Sequence, residues 1–575
     1  MKAKVLVLGG NSRASLTVVR SLGRRGMDVH LAWHGPDSIV PFSRYAARVH
    51  NRHMRLATDA RGLDELCELL RRERFDLVIP TDDRTMLPLV EHRERIEPLA
   101  RLAVPGTEAF HTALDKNRTA ELARELDVPV PRQVFVRYAS DRPKLDARWK
   151  YPLVIKPTTS IPLGPVAVEG SRVEYVDDLA ALQARLDALP PQASVLVQEY
   201  RVGVGVGVEL LARDGEVIYV FQHVRVHEPM RGGGSSYRRS AEPDPRLLAC
   251  AKRLMSALRW SGVAMVEFKC DPDTGDFVLL EINGRFWGSL PLAVAAGADF
   301  PYYLYRLLVE GKKPENTRYR TGLYCRNLRM DLGWFRENFR TRPSVYNNAV
   351  KPGALLREPI NLILLRERFD TLVLDDVRPA AKECRDLLGA VGDAGRRAAW
   401  ERWLVTETAR RRQAGRLNKI QKPAKILFLC KGNICRSPFA ETYMRRLLGA
   451  RNGNATVASA GFYPEEARRC PVAAQQAARR FSADLSRHRS RVLSRELVEA
   501  VDAVFTFDVQ NYVTFRRRFK RHRAKCFLLG CLAAGGPVRV VPDPYGGDEQ
   551  AFIDCYTSVA GLVESLKQRL GTSSA

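Results

Sequence analysis

The sequence predicts a multidomain α/β protein that begins with a doubly wound parallel sheet and ends with a domain built on a second, central parallel sheet. Three observations lead to this fold class. The chain has 575 residues, more than a single hydrophobic core supports. Apolar strand patterns alternate with helical patterns near its start. The same strand–loop–helix order returns around Cys430, close to its end.

The composition indicates a soluble globular protein. Hydrophobic residues make up 45% of the chain and charged residues 27%. No run of about 18 apolar residues occurs, so no membrane span is expected. The first ten residues enter a strand without the pattern of a signal peptide. The 11 cysteines are irregularly spaced, as reduced thiols are, and we therefore expect a cytoplasmic protein.

The formal net charge of +27 requires an explanation. Dense basic runs occur at residues 410–412 and 516–521. Such runs can bind nucleic acid, an anionic polymer or an acidic membrane face. No recognisable nucleic-acid-binding motif accompanies them, and aromatic residues are sparse among them. We interpret the runs as solvated helix faces and do not expect nucleic acid as a partner.

Residues 1–105 are predicted to form the first, doubly wound domain. Strands are expected at 5–8, 29–32 and 76–79, with helices at 15–24 and 63–72. Strands that alternate with helices in this way form parallel sheets covered by helices. The turn at 9–14 contains two glycines but lacks the G-x-G-x-x-G order, so a tight strand-to-helix turn explains them.

The next part of the chain, residues 106–312, contains a predicted hairpin with acidic residues on one face. Its strands cover about residues 263–269 and 277–283. Glu281 and Asn283 are two residues apart and share a face, and Glu267 is expected nearly opposite Glu281. Burying unpaired carboxylates costs free energy, so acidic side chains on one face of two apolar strands call for an explanation. Three converging oxygen ligands suit Mg²⁺, which leaves further positions to phosphate oxygens and water.

Together with two upstream lysines, this hairpin resembles the ATP-grasp superfamily, particularly its carboxylate–amine ligases, over about residues 1–310. The resemblance implies an ATP-grasp α+β domain that uses ATP and Mg²⁺ (or Mn²⁺). It implies phosphate contacts by Lys116 and Lys156, adenine contacts by Glu199 and Tyr200, a further nucleotide contact by Glu209, metal binding by Glu267, Glu281 and Asn283, and Arg285 beside the transferring phosphate. One departure is that residues 158–164, where the family usually has a glycine-rich flap, contain a single glycine.

The resemblance also implies the reaction. ATP passes its γ-phosphoryl group to a carboxylate, and an amine or another nucleophile attacks the resulting acyl phosphate. Lysines, Mg²⁺ and Arg285 would stabilise the charge on the transferring group. Water must be excluded, because it would hydrolyse the acyl phosphate. Small-molecule carboxylates and amines are therefore the expected substrates of this part of the chain.

Residues 313–422 show no chemistry-bearing motif. Apolar and mixed segments there predict a helical extension of the preceding domain. A basic linker at 416–423 follows it.

A cysteine loop, residues 430–436, follows the apolar strand at 425–429 and precedes a helical pattern. Ser437 suits the cap of that helix and Pro438 its first position. The helix N-terminus, with Arg436 beside it, is expected to hold Cys430 as a thiolate and to bind a phosphate. The thiolate would attack phosphorus and form a phosphocysteine that water then hydrolyses.

The cysteine loop resembles the signature loop of the low-molecular-weight protein tyrosine phosphatases, which implies a phosphatase domain over residues 423–572. The resemblance implies Cys430, Arg436 and Asp543 as catalytic residues, with Asp543 as general acid. It implies support of the loop by Gly432, Asn433, Ser437, Ser459 and His488. A phosphotyrosine protein or a phosphorylated small molecule is the expected substrate, with Tyr545 or Phe462 as a wall of the pocket.

Several functions remain open from the sequence. The first is a bifunctional enzyme, an ATP-dependent ligase joined to a phosphatase. The second is a phosphatase regulated by a non-catalytic ATP-binding module. The third is an anionic-polymer-binding protein that uses the basic runs. The fourth is an arsenate reductase, which shares the phosphatase fold but needs further redox cysteines, for which Cys526 and Cys531 are the candidates. Their apolar surroundings favour the core of the domain instead.

Overall fold

The computed structural model describes residues 2–9, 13–35, 37–50, 60–137, 141, 143, 145, 148–161, 173–187, 189, 194–230, 232–315, 318–342, 347–356, 358–404, 406–420, 424–449, 456–464, 466–532 and 540–571. Parts of three predicted segments therefore lie outside the described residues: the turn at 9–14, the flap at 158–164 and the linker at 416–423. The chain divides into two compact units, Met1–Leu387 and Leu388–Ala575.

The first sheet of unit 1 is fully parallel, with strand order β3-β2-β1-β4-β5. The strands are β1 (Lys4–Leu8), β2 (Asp28–Ala32), β3 (Arg48–Val49), β4 (Leu77–Pro80) and β5 (Arg101–Leu102). The helices are α1 (Arg13–Arg24), α2 (Ala60–Glu73), α3 (Asp83–Glu91), α4 (Arg93–Ile96) and α5 (Thr107–Leu114). Alternate β1 side chains pack against α1 on one face and α2 on the other. The doubly wound sheet is confirmed.

Two further sheets follow in unit 1, of which the smaller is antiparallel and the larger is antiparallel except for one strand pair at its edge. The smaller has the order β6-β9-β7-β8, with β6 (Gln133–Val136), β7 (Leu153–Pro157), β8 (Glu174–Val176) and β9 (Val195–Glu199). The larger begins with β10 (Val204–Arg213), β11 (Glu216–His227), β12 (Tyr237–Ala241), β13 (Gly262–Cys270) and β14 (Phe277–Asn283). Their helices are α6 (Lys116–Glu125), α7 (Leu179–Asp187), α8 (Pro245–Ala257), α9 (Leu290–Ala295) and α10 (Phe300–Tyr305), the last continued by a π turn (Arg306–Glu310).

The predicted helical extension also contains two strands, which the sequence analysis did not anticipate. These are β15 (Tyr324–Arg326) and β16 (Glu367–Phe369), and they extend the larger sheet to the order β14-β13-β10-β11-β12-β15-β16. The helices of this region are α11 (Leu328–Asn338), α12 (Pro352–Leu355), α13 (Pro359–Ile363), α14 (Arg378–Leu404) and α15 (Glu407–Leu417). Both strands have three residues and polar side chains, so neither shows an apolar strand pattern.

Unit 2 contains a four-stranded parallel sheet, as predicted. Its order is β18-β17-β19-β20, with β17 (Ile426–Cys430), β18 (Val457–Gly461), β19 (Ala503–Thr506) and β20 (Cys526–Leu528). The helices are α16 (Arg436–Leu448), α17 (Val472–Arg479), α18 (Arg495–Glu499), α19 (Val509–Arg518) and α20 (Glu549–Gly571). Alternate residues of β17 enter two separate apolar clusters, one on each face of the sheet.

No helix in the described part of the chain combines the length and the apolar character that crossing a bilayer requires.

Candidate active sites

The cysteine loop connects the end of β17 to the start of α16, in the interior of unit 2. All five residues of β17 are buried, and Cys430 is its last residue. Because β17 lies in the middle of a parallel sheet, its carboxyl end faces the crevice where ligands bind in such folds. The sequence-predicted nucleophile therefore lies where this fold class binds its ligands.

The helix α16 begins earlier than the sequence predicts. Its first residue is Arg436 and the cap position is Cys435, which makes no side-chain capping hydrogen bond. Ser437 and Pro438 therefore occupy the second and third helical positions. The Ser437 hydroxyl does not cap the helix, because it lies 3.0 Å from the Cys430 sulfur. The backbone N–H of Asn433 also donates to that sulfur, at 3.2 Å.

Asn433 holds the cysteine loop in shape. Its backbone lies in the left-handed region, with φ of 53°. Its amide nitrogen donates to the hydroxyls of Ser437 at 2.9 Å and Ser459 at 2.8 Å. Its amide oxygen accepts from the Arg491 backbone at 2.8 Å, and its carbonyl oxygen accepts from His488 Nε2 at 2.9 Å. Burial lowers the pKa of His488, so the neutral ring is favoured.

Two glycines allow this packing. A Cβ built on Gly461, at the end of β18, would lie 2.8 Å from the Asn433 backbone nitrogen and 2.9 Å from the Gly432 carbonyl carbon. Gly432 accepts a hydrogen bond from Arg468 at 2.6 Å through its carbonyl oxygen. The loop and the neighbouring strand therefore approach each other more closely than side chains allow.

Arg436 is 1% exposed and its guanidinium is held by two carboxylates. Nη1 donates to Asp508 Oδ2 at 2.7 Å and to the Val541 carbonyl at 3.0 Å, while Nη2 lies 2.7 Å from Asp543 Oδ2. Burial opposes its charge, but Cys430 and the two carboxylates raise the pKa of Arg436. Its Nε is buried and has no hydrogen-bond partner among the described residues. An anion in the loop would supply one.

The arrangement at Asp543 is more open. Asp543 is 41% exposed on its side chain, and Tyr545, two residues later, is 61% exposed. Tyr463, whose N–H donates to the Lys431 carbonyl at 2.9 Å, is 38% exposed. Phe462, which the sequence analysis named as a pocket wall, instead packs against an apolar cluster of the domain. Tyr463 and Tyr545 are thus the exposed aromatic rings near the loop.

The candidate redox cysteines of the arsenate reductase alternative are part of the core. Cys526 lies in β20 and Cys531 in the turn Leu529–Leu532, and both are 0% exposed. Burial raises the pKa of the Cys526 thiol, and it raises that of Cys531 to about 12. Buried thiols of this kind are unreactive.

In unit 1, a cavity of about 390 Å³ brings together most of the predicted nucleotide and metal residues. We refer to it as the lysine cavity. Its lining includes the predicted Lys116, Lys156, Glu199, Tyr200, Glu267, Glu281, Asn283 and Arg285. Lys116 begins α6, Lys156 lies in β7, and the carboxylates lie on β13 and β14. Residues separated by up to 169 positions in sequence therefore line one cavity.

The predicted carboxylate pair has the expected register. Glu267 on β13 is paired directly with Glu281 on β14. The Asn283 amide donates to Glu281 Oε1 at 3.1 Å. Burial raises the pKa of Glu267, with Glu281 adding to this effect. Burial also acts on Glu281, but Lys116 and Lys156 outweigh it and lower its pKa.

The donor atoms of this pair fit a hard cation. Among the described residues no group of three His, Cys, Asp or Glu side chains could hold a metal ion. Two carboxylates and one amide oxygen are nevertheless an all-oxygen set, and two like charges side by side are stabilised by a cation between them. The remaining ligands would have to come from substrate oxygens and water.

The two lysines lie close to these carboxylates. Lys116 Nζ is 3.2 Å from Glu281 Oε2 and 3.2 Å from Ser160 Oγ. Lys156 is 8% exposed, and burial together with the charge of Lys116 lowers its pKa to about 8. A buried and a half-buried cation that line one cavity favour an anionic ligand there.

At the other end of the cavity, β9 ends at Glu199 and the chain turns at Tyr200. Glu199 Oε1 accepts from the Lys150 backbone at 3.1 Å. The Tyr200 ring packs edge-on against Tyr175, with ring centroids 5.7 Å apart. A strand end beside an aromatic pair offers backbone groups and an apolar surface to a flat ring.

Glu209 does not reach the lysine cavity, contrary to its predicted role. It is 0% exposed, hydrogen-bonded to His223, and accepts from Ser289 Oγ at 3.3 Å. Burial raises the pKa of Glu209. It lies two residues along β10 from Gly207, the partner of Glu267, and therefore shares that face of the sheet, but there it contacts Ser289, the residue before α9.

Four charged residues that the sequence analysis missed line the cavity: Arg201, Arg225, Glu228 and Lys269. Arg225 Nη2 lies 2.6 Å from Glu267 Oε2, and Lys269 Nζ donates to Glu228 Oε2 at 2.8 Å. The other Glu228 oxygen accepts from the Gly205 backbone at 3.0 Å. A Cβ on Gly205 would lie 2.1 Å from Glu228, so this glycine makes room for the network. The alternation of charged residues along β11 and β13 was the available signal.

Arg285 joins the cavity to the first sheet. Its Nε donates to Asp83 Oδ2 at 3.2 Å, at the first residue of α3. Burial opposes its charge, but Asp83 and Glu281 raise the pKa of Arg285. The guanidinium therefore stays charged at the cavity wall.

Comparisons with known proteins match two separate parts of the chain, one in each unit. Residues 425–575 match the family model described as low molecular weight phosphotyrosine protein phosphatase. Residues 192–330 match the model described as ATP-grasp in the biosynthetic pathway with Ter operon.

Individual relatives match the C-terminal part. A low molecular weight phosphotyrosine protein phosphatase of Schizosaccharomyces pombe is 32% identical over 148 residues, which are 25% of this chain and 95% of the relative. A protein-arginine-phosphatase of Bacillus subtilis is 32% identical over 145 residues, 25% of this chain and 93% of the relative. Among solved structures, an L-amino acid ligase from Bacillus licheniformis superposes with a TM-score of 0.43 and 17% identity, covering 54% of this chain and 75% of that one.

Proposed function

Because the chain belongs, through residues 425–575, to the low-molecular-weight phosphotyrosine protein phosphatase family and carries an ATP-grasp domain ahead of them, we propose that it is a bifunctional enzyme. The second unit hydrolyses phosphotyrosine or a related phosphomonoester through a phosphocysteine. The first unit uses ATP to join a carboxylate to an amine through an acyl phosphate. The observation that carries the proposal is the buried Arg436–Cys430–Asn433 arrangement, in which the Asn433 N–H points at the sulfur and Arg436 Nε is without a partner among the described residues.

In the first phosphatase step, the Cys430 sulfur attacks phosphorus and the bond to the leaving oxygen breaks. Backbone N–H groups of the loop and the free Nε of Arg436 receive the phosphate oxygens. Asp543, half exposed beside the loop, gives its proton to the leaving oxygen.

In the second step, water attacks the phosphocysteine. Asp543, now ionised, takes a proton from that water, and the sulfur leaves as a thiolate. The Ser437 hydroxyl, 3.0 Å from the sulfur, donates a hydrogen bond to it as its charge returns. General acid–base catalysis of this type contributes about a hundred- to ten-thousand-fold.

For the first unit, the lysine cavity supports the ATP assignment. Lys116 and Lys156 are positioned to bind the nucleotide phosphates, and the segment at Glu199 and Tyr200 to bind the adenine. Glu267, Glu281 and Asn283 would hold Mg²⁺ or Mn²⁺, and the bound cation would neutralise phosphate charge during transfer. Arg285, charged and buried at the wall, would stabilise the transferring phosphoryl group.

The exposed Tyr463 and Tyr545 support an aromatic phosphoester over a small alkyl one, because they offer a stacking surface near the loop. A phosphotyrosine peptide and a phosphoarginine peptide should be compared directly. Preference for phosphotyrosine supports this assignment, and preference for phosphoarginine contradicts it.

The phosphatase assignment is tested with p-nitrophenyl phosphate and the full chain. The variant Cys430→Ser should lose all turnover, and acid quenching of the wild type with labelled substrate should trap a phosphoprotein. The buried thiol variant Cys470→Ser is the matched control and should keep turnover. Full activity of Cys430→Ser would refute the mechanism.

The ligase assignment is tested by ADP release in a screen of amino acids and carboxylic acids. Release should require one member of each class and be lost in Glu281→Ala, whereas Cys430→Ser should leave it unchanged. Nucleotide binding without ADP release under any substrate pair would favour the alternative of a regulatory ATP-binding module.

A further inference from the structure

Helix α11 exposes its apolar side. Its buried residues are Asp331, Trp334 and Asn338. The large apolar side chains Leu332 and Phe339 are 55% and 67% exposed. Residues 328, 332, 335 and 339 of this helix are all apolar and recur at helical spacing, so they form one stripe. A surface helix of a globular protein normally turns such a stripe inward.

A neighbouring segment behaves in the same way. Helix α13 has no buried residue. Between residues 356 and 365, the exposed large apolar side chains are Leu356, Ile360, Leu362, Ile363, Leu364 and Leu365. Their exposed fractions range from 50% to 80%. Scattered apolar residues are ordinary on a surface, but a contiguous group of this size marks a binding surface.

One histidine fixes the two segments to each other. His227 on β11 bonds through Nδ1 to Asp331 of α11 at 2.8 Å and through Nε2 to Glu358 at 2.6 Å, one residue before α13. Its ring also stacks on Trp334, with centroids 3.6 Å apart. The inner sides of the two segments therefore meet at one residue, and we refer to the stripe of α11 together with the exposed residues of 356–365 as the leucine face.

The exposed charged residues of this region are mostly cations. Between residues 328 and 368, the exposed basic residues that the structure describes are Arg329, Arg336, Arg340, Arg342, Lys351, Arg366 and Arg368. In the described part of residues 328–368, Glu337 is the only exposed acidic residue. The other carboxylates are buried or half-buried and paired: Arg326 alone contacts Asp331, Glu358 and Glu367. The region thus exposes many apolar side chains together with an excess of positive charge.

We propose that the leucine face docks on an anionic membrane surface, which would bind unit 1 peripherally. Leu, Ile and Phe side chains enter the boundary between headgroups and acyl chains, while Arg and Lys bind anionic headgroups. Short helices that lie along a surface suit this interface. Charge decides against a second copy of the chain, because a two-fold interface would bring the same arginines together.

The test is flotation of the full chain with vesicles of 70% phosphatidylcholine and 30% phosphatidylglycerol, compared with phosphatidylcholine alone. Binding is expected to the anionic vesicles and to weaken in 0.5 M salt. Replacing one of the exposed arginines, as in Arg340→Gln, should weaken vesicle binding about fivefold.

The double variant Leu332→Glu/Ile363→Glu should lower the bound fraction by roughly tenfold or more. Leu179→Glu, on the 48%-exposed Leu179 of α7, is the matched control and should bind normally. Thermal unfolding establishes that each variant is folded, and Phe339→Glu serves in place of a double variant that does not fold.

Three outcomes would overturn the proposal. The first is no binding to anionic vesicles at low salt. The second is binding that survives the glutamate variants, because it would then come from the basic runs at 410–412 and 516–521. The third is a dimer that the same variants abolish in light scattering, which would assign the leucine face to a second copy.

Discussion

Asp508 accepts a hydrogen bond from Arg436 Nη1 at 2.7 Å, across 72 residues of sequence. The same carboxylate caps α19, because its other oxygen accepts from the Asn511 backbone at 2.7 Å. One side chain therefore ties the Arg436 guanidinium to the helix that follows β19. The two roles can be separated by substitution, since asparagine caps a helix as well as aspartate does.

We expect Asp508→Asn to lower kcat/KM for p-nitrophenyl phosphate by roughly 10- to 100-fold. A buried hydrogen bond between charged groups is worth about 1.5–3 kcal/mol, and each 1.36 kcal/mol is tenfold in rate. The free energy of unfolding should fall by a comparable amount, because the same hydrogen bond stabilises the folded domain. Asp508→Ala should cause the same loss of rate and a further destabilisation of about 1 kcal/mol. Equal melting temperatures of the two variants would contradict the capping role.

Asn433→Ala should lower kcat more than Ser459→Ala. The first variant loses the hydrogen bonds of its amide and the residue type that tolerates a left-handed backbone. The second loses one hydrogen bond to the loop, worth about 1 kcal/mol, and one to Glu441 outside it. We expect roughly 100-fold and 5-fold losses, measured as steady-state turnover. A larger effect at Ser459 would show that the loop does not depend on the asparagine.

Nucleotide binding should depend on Lys156 and not on Glu209. Lys156 is a buried cation in the lysine cavity, so Lys156→Met should weaken ATP binding by roughly 10- to 100-fold in calorimetry. Glu209 bonds to His223 and Ser289 outside the cavity, so Glu209→Gln should change the Kd less than threefold. The reverse order of effects would restore the nucleotide contact that the sequence predicted for Glu209.

The stability of unit 1 should fall as pH rises above neutrality. Burial by itself lowers the pKa of His227, but the hydrogen bonds to Asp331 and Glu358 outweigh burial and raise it. The charged ring then contributes stability that is complete below about pH 6.5, the unfolded value, and is lost as pH rises through the higher folded value. Urea unfolding between pH 6 and 9 measures this loss, and His227→Gln should remove the dependence.

Much of the fold and of the candidate sites could be predicted from residues that lie close together in the sequence. The apolar run before Cys430 and the helical pattern after it define a strand–loop–helix by themselves, and the spacing of Glu281 and Asn283 fixes a shared strand face. The pairing of Glu267 with Glu281 followed from the short turn between their strands. These are relationships between residues that are close in sequence, or that a hairpin brings together.

The remaining features depend on contacts between distant segments. Asp508 lies in an ordinary strand-to-helix turn until Arg436 packs against it. Arg225 and Glu228 read as solvent-facing strand residues, because only the folded sheet brings Glu267 beside them. Strand β16 is recognisable only through its pairing with β15. Sequence patterns report burial and period, whereas these positions are decided by tertiary partners.

Gly461 leaves no room for a side chain, because the loop backbone lies where a Cβ would be. Saturation mutagenesis scored by dephosphorylation should find every other amino acid rejected there, alanine included, although Gly461 has no side chain with which to touch a phosphate. A Cβ at this position would clash with the Asn433 backbone and displace the N–H that donates to the Cys430 sulfur. A list of functional residues that counted only reactive side chains would omit Gly461, whose contribution is to leave room for the loop.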